Sequence, residues 1–255
     1  MIKYGISELS IIPVRKEPSE KSEMTTQLLF GETFQILEEV EKWCYVKITF
    51  DNYEGWIDNK TISFITEDVF IQINSNSEIS AQNLSTIVLF RGEQIIVPAG
   101  STFPNYNKAS GTFMINKNNY QLTESYMDYS NDIKSLLMQY VNCPYLWGGK
   151  NPFGIDCSGL VQVVYKTLGM KLPRDASQQV KQGNTVSFIS EAKPGDLAFF
   201  DDDEGNIVHV GILFNAHEII HSSGKVRIDT IDQQGINNIE LKKYTHKLRV
   251  IKRII

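Results

Sequence analysis

Short apolar runs that alternate with polar residues, separated by turns, fill the first quarter of the chain. The stretch LLFGETFQIL at 28–37 predicts a strand, a turn and a strand, and WCYVKI at 43–48 and GWI at 55–57 continue this pattern of short strands broken by turns. The pair Asp51-Asn52 marks a hairpin. About five short strands in about sixty residues predict a small β-barrel over residues 1–65.

The next segment, residues 66–124, looks like a degenerate copy of the first. VLFRGEQII at 88–96 repeats the LFGE phrase of 29–32 with one residue inserted, and PAG at 98–100 supplies a turn. The polar stretch 74–77 is expected to be a solvated loop. A period of about sixty residues matches one small domain, so we expect a second barrel with a packing or spacer role.

Helical patterns replace strand patterns after about residue 125. Asn131 or Asp132 can cap a helix over 133–140, and two further helical stretches follow, the second at about 176–181. Four strand candidates then occur, at 197–200, 208–214, 219–221 and 249–251. Helices followed by an antiparallel sheet are typical of the α+β class.

The strongest chemical signal is Cys157. It follows a glycine-punctuated turn, GGKNPFGID at 148–156, and precedes the apolar run LVQVVY at 160–165. This pattern predicts that the sulfur stands at the start of a helix, where unpaired backbone amides and the helix dipole favour a thiolate. Since a thiolate attacks carbonyl carbon, the pattern indicates a cysteine nucleophile.

A cysteine nucleophile needs a base and a group that orients the base. His209 lies in an alternating strand and is expected to be the base rather than a core histidine, and Gly211 on the same face leaves space beside its ring. His221 ends the next strand, where it would accept a hydrogen bond that fixes the His209 tautomer; the alternative is a surface histidine. His217 and His246 are expected to be solvated.

Charge and hydropathy exclude several classes of partner. A net charge of -5 and a pI near 5.5 provide no basic stripe to neutralise phosphates, so no nucleic-acid partner is expected. The basic residues of 242–253 alternate with apolar ones, as in a half-buried strand. No stretch approaches the ~20 apolar residues of a membrane span, so no membrane partner is expected either.

Cysteine usage bears on the compartment. Cys44, Cys143 and Cys157 are an odd set without the spacing of a disulfide framework, and no paired cysteine or histidine spacing of the zinc type occurs, so no metal or other cofactor is expected. The start of the chain lacks the apolar segment of a secretion signal. Both features favour the cytoplasm, with a secreted or periplasmic form that has lost its signal as the alternative.

Five sequence blocks occur in order in the last half of the chain. They are PYLWGG at 144–149, DCSGL at 156–160, LPR at 172–174 with Gln178 or Gln179, PGDL at 194–197 and HVGI at 209–212. Together they resemble the NlpC family of bacterial cell-wall cysteine peptidases, which are small papain-like domains. The front half resembles two bacterial SH3-like modules, and the three-part layout is similar to the dipeptidyl-peptidase VI type.

The resemblance implies an α+β chain with three domains. Two small SH3-like barrels, at 1–65 and 66–124, precede a papain-like peptidase domain at 125–255. The dipeptidyl-peptidase VI type cleaves the bond between γ-D-glutamate and a diamino acid in peptidoglycan stem peptides. The resemblance therefore implies the same γ-D-glutamyl-L-diamino acid endopeptidase activity for this chain.

The resemblance also assigns roles to single residues. Cys157 becomes the nucleophile, His209 the base and His221 the orienting third member. Tyr145 would place its hydroxyl near the reacting carbonyl and, with the amide of Cys157, stabilise the oxyanion, where one donor is worth ~3 kcal/mol. The alternative for Tyr145 is a packed aromatic, which the neighbouring Trp147 is expected to be.

The implied substrate contacts are Asp156, Ser158, Asp175, Glu23 and Tyr53. Asp156 and Ser158 could hold the substrate's backbone or free carboxylate, although Asp156 can equally be only the helix N-cap. A cytoplasmic enzyme of this type should act on freed stem peptides, which begin with the ammonium of L-alanine. Asp175 and Glu23 are the candidates for binding that ammonium, and Tyr53 for closing the pocket beyond alanine; Glu23 can instead be an exposed charge.

Three functions therefore compete. The first is a cysteine endopeptidase that releases L-Ala-γ-D-Glu from stem peptides with a free N-terminal L-alanine, as in murein peptide recycling. The second is a wall-binding protein with an inert papain-like part, against which the complete set of Cys157, His209 and His221 argues. The third is a secreted hydrolase of polymeric peptidoglycan. The residues leave open whether lysine or diaminopimelate follows the scissile bond, and they leave the oligomeric state open.

Overall fold

A seven-stranded antiparallel sheet forms the first unit of the chain. The computed structural model describes residues 2–75, 79–123 and 132–254. The strands are β1 (Lys3–Ile6), β2 (Ile11–Arg15), β3 (Met24–Leu29), β4 (Thr33–Val40), β5 (Trp43–Ile48), β6 (Glu54–Asp58) and β7 (Ser63–Ile65), with a short 3-10 helix at Asn59–Thr61. Their order is β3-β2-β6-β5-β4-β1-β7. Their inward apolar residues, which include Ile12, Val14, Leu28, Phe34 and Val46, share one core.

The two predicted turns of this first barrel differ, because one joins paired strands and the other joins strands that are not neighbours in the sheet. The predicted hairpin joins β5 to β6, where Asn52 has a φ of 60° and its amide donates to the Ile48 carbonyl at 2.9 Å. The predicted strand, turn and strand at 28–37 are also present, as β3 and β4 on either side of Gly31. These two strands are not neighbours, because β3 pairs with β2 while β4 pairs with β1 and β5.

The second unit combines a helix with a four-stranded antiparallel sheet. Helix α1 (Glu67–Ser75) precedes β8 (Ser85–Phe90), β9 (Glu93–Pro98), β10 (Thr112–Ile115) and β11 (Asn118–Leu122), in the order β10-β11-β8-β9. The β8–β9 hairpin turns at Arg91 and Gly92, which both have positive φ. Helix α1 is not among the predicted elements, although Glu67 and Asp68 stand in its first turn, where carboxylates stabilise the helix dipole.

Part of the expected solvated loop at 74–77 is instead the end of α1. The Asn74 side chain accepts a hydrogen bond from the Thr33 hydroxyl at 3.0 Å and donates to the Phe70 carbonyl at 2.7 Å, which ties α1 to β4. Residues 76–77 lie outside the described residues, as does the predicted boundary between residues 124 and 125.

The third unit places helices before a closed β-barrel. Its first elements are α2 (Ile133–Gln139), β12 (Lys150–Asn151), β13 (Gly154–Ile155), α3 (Cys157–Thr167) and α4 (Ala176–Gln179). The remaining strands are β14 (Asn184–Val186), β15 (Leu197–Asp201), β16 (Ile207–Leu213), β17 (Glu218–Ser223), β18 (Lys225–Asp232), β19 (Gly235–Asn238) and β20 (Lys243–Arg253), with a 3-10 helix at Ile189–Glu191. The order is β14-β20-β15-β16-β17-β18-β19, and a further pairing of β19 with β20 closes the barrel.

The predicted elements of this unit are present with different bounds. Asp132 caps α2 by accepting from the Ser135 amide at 3.0 Å, while Asn131 lies outside the described residues. The four predicted strands correspond to β15, β16, β17 and β20, whereas β14, β18 and β19 were not predicted. Helix α3 is buried along its whole length and contacts β16 and β17. None of the described helices has the length and apolar content needed to cross a membrane.

Buried polar contacts join the first barrel to the third unit. The Glu32 carboxylate lies 2.7 Å from the Lys166 ammonium on α3 and 3.5 Å from the Lys150 ammonium. The Gln27 side-chain oxygen accepts from the Lys150 amide at 2.8 Å and from the Asn151 side chain at 2.9 Å. Since these groups are all buried, the first barrel is fixed against α3 and β12.

Candidate active site

Cys157 is the first residue of α3, as the sequence predicts. Its side chain is 8% exposed, and its sulfur accepts a hydrogen bond from the amide of Val210 on β16. Burial and the nearby Asp156 carboxylate raise the pKa of the Cys157 thiol to about 11, although the Val210 amide and the Arg174 guanidinium oppose this. The expectation of a resting thiolate is therefore wrong, because burial outweighs the helix-start effect.

His209 lies on β16 directly before the residue whose amide contacts the sulfur, so Cys157 and His209 are close to each other in the fold. Burial, followed by the neighbouring His221 and His246 rings, lowers the pKa of His209 well below its usual value. Gly211 pairs with His221 across β16 and β17, and a Cβ at Gly211 would lie 2.9 Å from the Cβ of His221. The space beside His209 is therefore filled by His221.

A chain of hydrogen bonds fixes the protons of both imidazoles. Nε2 of His209 lies 2.9 Å from Nδ1 of His221, and Nε2 of His221 lies 3.1 Å from the Asp229 carboxylate. Burial raises the pKa of Asp229, but hydrogen bonds from His221 and Arg227 outweigh it and hold that pKa at about 2. An ionised Asp229 only accepts, so His221 carries its proton on Nε2, accepts at Nδ1, and leaves Nδ1 of His209 free to take a proton.

Asp229 is held in place from several sides. Arg227 donates to it at 2.7 and 3.1 Å, and the amide of Ile239 donates at 3.1 Å. Asp229 is not among the predicted site residues. The stretch VRIDTID at 226–232 holds two acids, and Asp229 shares the Arg227 face of the strand, so only its burial in the structure marks it as a residue that requires a partner.

His246 is not solvated, contrary to expectation. Its ring stacks on His209 with centroids 4.2 Å apart and an interplanar angle of 24°. Burial, and then the neighbouring His221, lower the pKa of His246 to about 4. The basic pattern of its flanks suggested an exposed strand end, but closure of the barrel brings β20 over the site.

The three imidazoles of His209, His221 and His246 bring their ligand nitrogens within 4.8 Å of one another, which raises the question of a metal ion. Metal ligation needs nitrogen lone pairs that converge on one point in the planes of the rings. The stacked His209 and His246 rings have nearly parallel planes, and Nε2 of His209 is engaged with His221. The arrangement thus fits hydrogen bonding better than metal binding.

Asp156 is the N-cap of α3 and also the centre of a buried ion pair. Its carboxylate accepts from the Gly159 amide at 2.7 Å, from the Gly148 amide at 2.8 Å, and from Arg174 at 2.5 and 3.0 Å. Arg174 also donates to the Ser158 hydroxyl at 2.8 Å. Arg174 belongs to the LPR block but received no role in the sequence analysis, and it is almost fully buried.

A cleft of about 490 Å³ opens at the sulfur. Its lining residues are Glu23, Thr25 and Tyr53 from the first barrel and Trp147, Asp156, Cys157, Ser158, Arg174, Asp175, Ala176, Ser177, Ile207 and Val208 from the third unit. The first barrel therefore builds one wall of the cleft.

Comparison with known proteins decides the family of this site. The profile of the NlpC/P60 family matches residues 142–247, and that of the bacterial dipeptidyl-peptidase Sh3 domain matches residues 14–62. Residues 142–247 therefore form a domain of the NlpC/P60 family of cysteine peptidases. The γ-D-glutamyl-L-lysine dipeptidyl-peptidase of Bacillus subtilis strain 168 is 29% identical over 219 residues, which cover 77% of this chain and 71% of that protein.

Two further similarities extend over nearly the whole NlpC/P60 peptidase. The dipeptidyl-peptidase 6 of Lysinibacillus sphaericus is 26% identical over 247 residues, which cover 86% of this chain and 88% of that protein. The crystal structure of an NlpC/P60 family protein from Bacillus cereus ATCC 10987 covers 98% of this chain and 99% of its own, with a TM-score of 0.81 at 17% identity. The predicted α+β class, with an SH3-like β domain ahead of a papain-like domain, is confirmed, while a second SH3-like barrel at 66–124 and the exact domain boundaries stay predictions.

The NlpC/P60 peptidase keeps Tyr145 near the sulfur. Burial, followed by the nearby Cys157 and Asp156, raises the pKa of Tyr145 to about 12 although Arg174 opposes this, so its hydroxyl keeps the proton that it could donate. Trp147 is not a packed aromatic as expected, since it is 59% exposed and donates its indole N–H to Glu23 at 2.8 Å. Glu23 is exposed, as the alternative expected, and its carboxylate also lies 3.6 Å from the Lys16 ammonium.

The remaining predicted contacts line the same cleft. The hydroxyl of Tyr53 hydrogen-bonds Thr25, and burial raises the pKa of Tyr53. Burial also raises the pKa of Asp175, and the carboxylates of Asp156 and Asp51 add to this while Arg174 opposes it. Glu23, Tyr53 and Asp175 line one cleft although about 150 residues separate the first from the last.

Proposed function

We propose that this peptidase hydrolyses the bond between γ-D-glutamate and an L-diamino acid in free peptidoglycan stem peptides and releases L-Ala-γ-D-Glu. The observation that carries the proposal is the wall of the cleft made by Glu23, Thr25 and Tyr53 of the first barrel. Such a wall leaves room for a short peptide on the acyl side of the scissile bond. The names of the Bacillus subtilis and Lysinibacillus sphaericus relatives support release of a dipeptide.

In the proposed reaction, Nδ1 of His209 takes the proton of Cys157 as the sulfur attacks the γ-carbonyl carbon. Charge moves to the carbonyl oxygen, to which the Tyr145 hydroxyl and the Cys157 amide donate. Protonated His209 then gives its proton to the leaving amine, and the C–N bond breaks to leave a thioester. A water molecule, deprotonated by His209, hydrolyses the thioester, while His221 holds the imidazole throughout.

The proposed recognition of substrate uses both domains. Asp175 and Glu23 bind the ammonium of L-alanine, and Tyr53 closes the space beyond it, so that an acylated or extended amino terminus does not fit. Asp156 and Ser158 flank the sulfur and hold the substrate's backbone or free carboxylate. The guanidinium of Arg174 offsets the charge of Asp156. A cytoplasmic role in peptide recycling stays a prediction.

Digestion of L-Ala-γ-D-Glu-L-Lys with a free or an acetylated amino terminus tests the proposal. We expect cleavage of the free peptide and cleavage on the order of 10²-fold slower for the acetylated one, because acetylation removes the charge that pairs with Asp175 and Glu23. Cys157→Ala is the inactive control. Asp175→Asn should raise KM for the free peptide far more than for the acetylated one.

The contradicting outcomes are distinct. Equal cleavage of both peptides would favour a hydrolase of polymeric peptidoglycan, and cleavage of neither would favour a binding protein. The same assay with diaminopimelate in place of lysine decides which diamino acid is accepted.

A further inference from the structure

Three aromatic rings pack around the buried imidazole of His209. The His246 ring lies against its face at 4.2 Å, and the His221 ring meets its edge at 5.1 Å with an interplanar angle of 84°. Phe200, one strand away on β15, contacts both His209 and His246 with centroids at 5.8 Å. His209 is therefore confined by three rings that come from β15, β17 and β20.

The hydrogen bond to His221 alone does not fix the base. An imidazole held at one nitrogen can hinge about that bond, and the outer torsion of a histidine side chain is soft. Hinging would swing Nδ1 of His209 away from the sulfur of Cys157. A flat ring stacked on the face of His209 opposes this motion, because the two rings would have to separate.

His246 is restrained by the edge-on rings of Phe200 and His221 together with one hydrogen bond. Its Nδ1 lies 2.9 Å from the hydroxyl of Thr245, the preceding residue on β20. His246 is half-buried, whereas His209 is buried, so the His246 ring also stands between the base and solvent. We infer that His246 is a positioning residue that holds the His209 imidazole in the plane from which Nδ1 reaches Cys157. The inference rests on the proposed function only for its kinetic readout.

The test compares variants of position 246 in the full chain. His246→Ala removes the ring, His246→Leu keeps apolar volume without a flat face, and His246→Phe keeps a flat ring without nitrogens. Lys247→Ala, at the next and exposed position of β20, is the matched control. Two rates are measured, the turnover of L-Ala-γ-D-Glu-L-Lys and the alkylation of Cys157 by iodoacetamide, located by mass spectrometry. Thermal unfolding checks that each variant is folded.

We expect His246→Ala and His246→Leu to lower kcat and the alkylation rate on the order of tenfold with KM within about twofold, because a small misplacement of a catalytic group is costly. His246→Phe and Lys247→Ala should stay within about threefold of the parent protein in both rates. A lower kcat with an unchanged KM would show that the base is misplaced while the cleft still binds the peptide.

Two results would overturn the inference. Folded His246→Leu with unchanged alkylation would show that no flat ring is needed, and His246→Phe as slow as His246→Leu would show that stacking is not the relevant property. If the parent protein is alkylated at Cys157 but does not cleave the peptide, the proposed function fails while the alkylation series still decides the role of His246.

Discussion

At the residue scale, a single buried carboxylate determines which nitrogens of two imidazoles carry a proton. Asp229 accepts from Nε2 of His221, which makes Nδ1 of His221 an acceptor and leaves Nδ1 of His209 unprotonated. Because burial raises the pKa of Cys157 and lowers that of His209, burial favours the neutral forms of both groups. In the proposed reaction, the tautomer fixed by Asp229 determines whether His209 can receive the proton of the thiol.

We expect Asp229→Asn to lower kcat/KM on the order of 10²-fold, since an amide can donate to His221 and reverse both tautomers. The pKa of Asp229 in the folded protein, about 2, lies below its ordinary value of 3.8, so ionised Asp229 stabilises the fold above pH 4 and this stabilisation is lost as pH falls towards 2. A shift of this size corresponds to about 2 kcal/mol.

The measurement is the free energy of unfolding of Asp229→Asn and of the exposed control Asp203→Asn between pH 7 and pH 2. The free energy of unfolding of Asp229→Asn should be lower than that of the parent protein at pH 7, and this difference should decrease as pH falls through 4. A difference that is constant with pH would contradict the assignment of the low pKa to Asp229.

At the scale of elements, α3 is an apolar helix that begins at a charged cluster. Its start packs so closely that a Cβ at Gly159 would lie 2.3 Å from the Gly149 carbonyl oxygen. The N-cap Asp156 would be an unpaired buried charge without Arg174, which also donates to Thr26 of the first barrel at 2.9 Å. The position of the sulfur thus depends on an ion pair between the start of α3 and the segment before α4.

We expect Arg174→Met to destabilise the protein by about 3–5 kcal/mol, because removal of one partner leaves the Asp156 charge buried. The double variant Asp156→Asn/Arg174→Met should lose clearly less than the sum of the single variants. Urea unfolding of the four proteins measures the coupling, and Lys181→Met, at an exposed cationic residue, is the control. Additive losses would mean that Asp156 and Arg174 do not act as a pair.

At the scale of the whole molecule, the first barrel is part of the peptidase. Burial of Glu32 raises its pKa, but the ammonium groups of Lys150 and Lys166 outweigh burial and lower it. One carboxylate therefore compensates two buried ammonium groups across the interface. The same interface places Glu23 and Tyr53 at the cleft, so packing of the domains and shape of the site are coupled.

Glu32→Gln should cost about 3–5 kcal/mol of stability, because Lys150 and Lys166 lose their shared counterion. Glu20→Gln, which removes the exposed partner of Lys42, should change stability by less than about 1 kcal/mol. Thermal and urea unfolding compare the two variants at pH 7. Equal stability of both would mean that the interface charge is solvated in solution.

Local patterns predicted much of the catalytic unit. The turn before Cys157, the alternation around His209 and the caps of the helices depend on neighbours in sequence, and the structure has α3 and β16 where they were expected. Helix α1 was missed, because its segment carries a hydrophobic pattern too weak to separate a helix from a strand. Asp229 and His246 were missed because their partners are set by strand register and by closure of the barrel.

The sequence by itself determined the presence of an NlpC/P60 domain, its class of chemistry and the position of Cys157 at the start of a helix, since these follow from residue types at fixed short spacings. Only the tertiary structure decided the protonation of the Cys157 and His209 pair, the stacking of His246 and the wall of the cleft. The physical reason is that burial and charge act through space and sum over residues that are distant in the chain. A helix start favours a thiolate locally, and the surrounding protein reverses that preference.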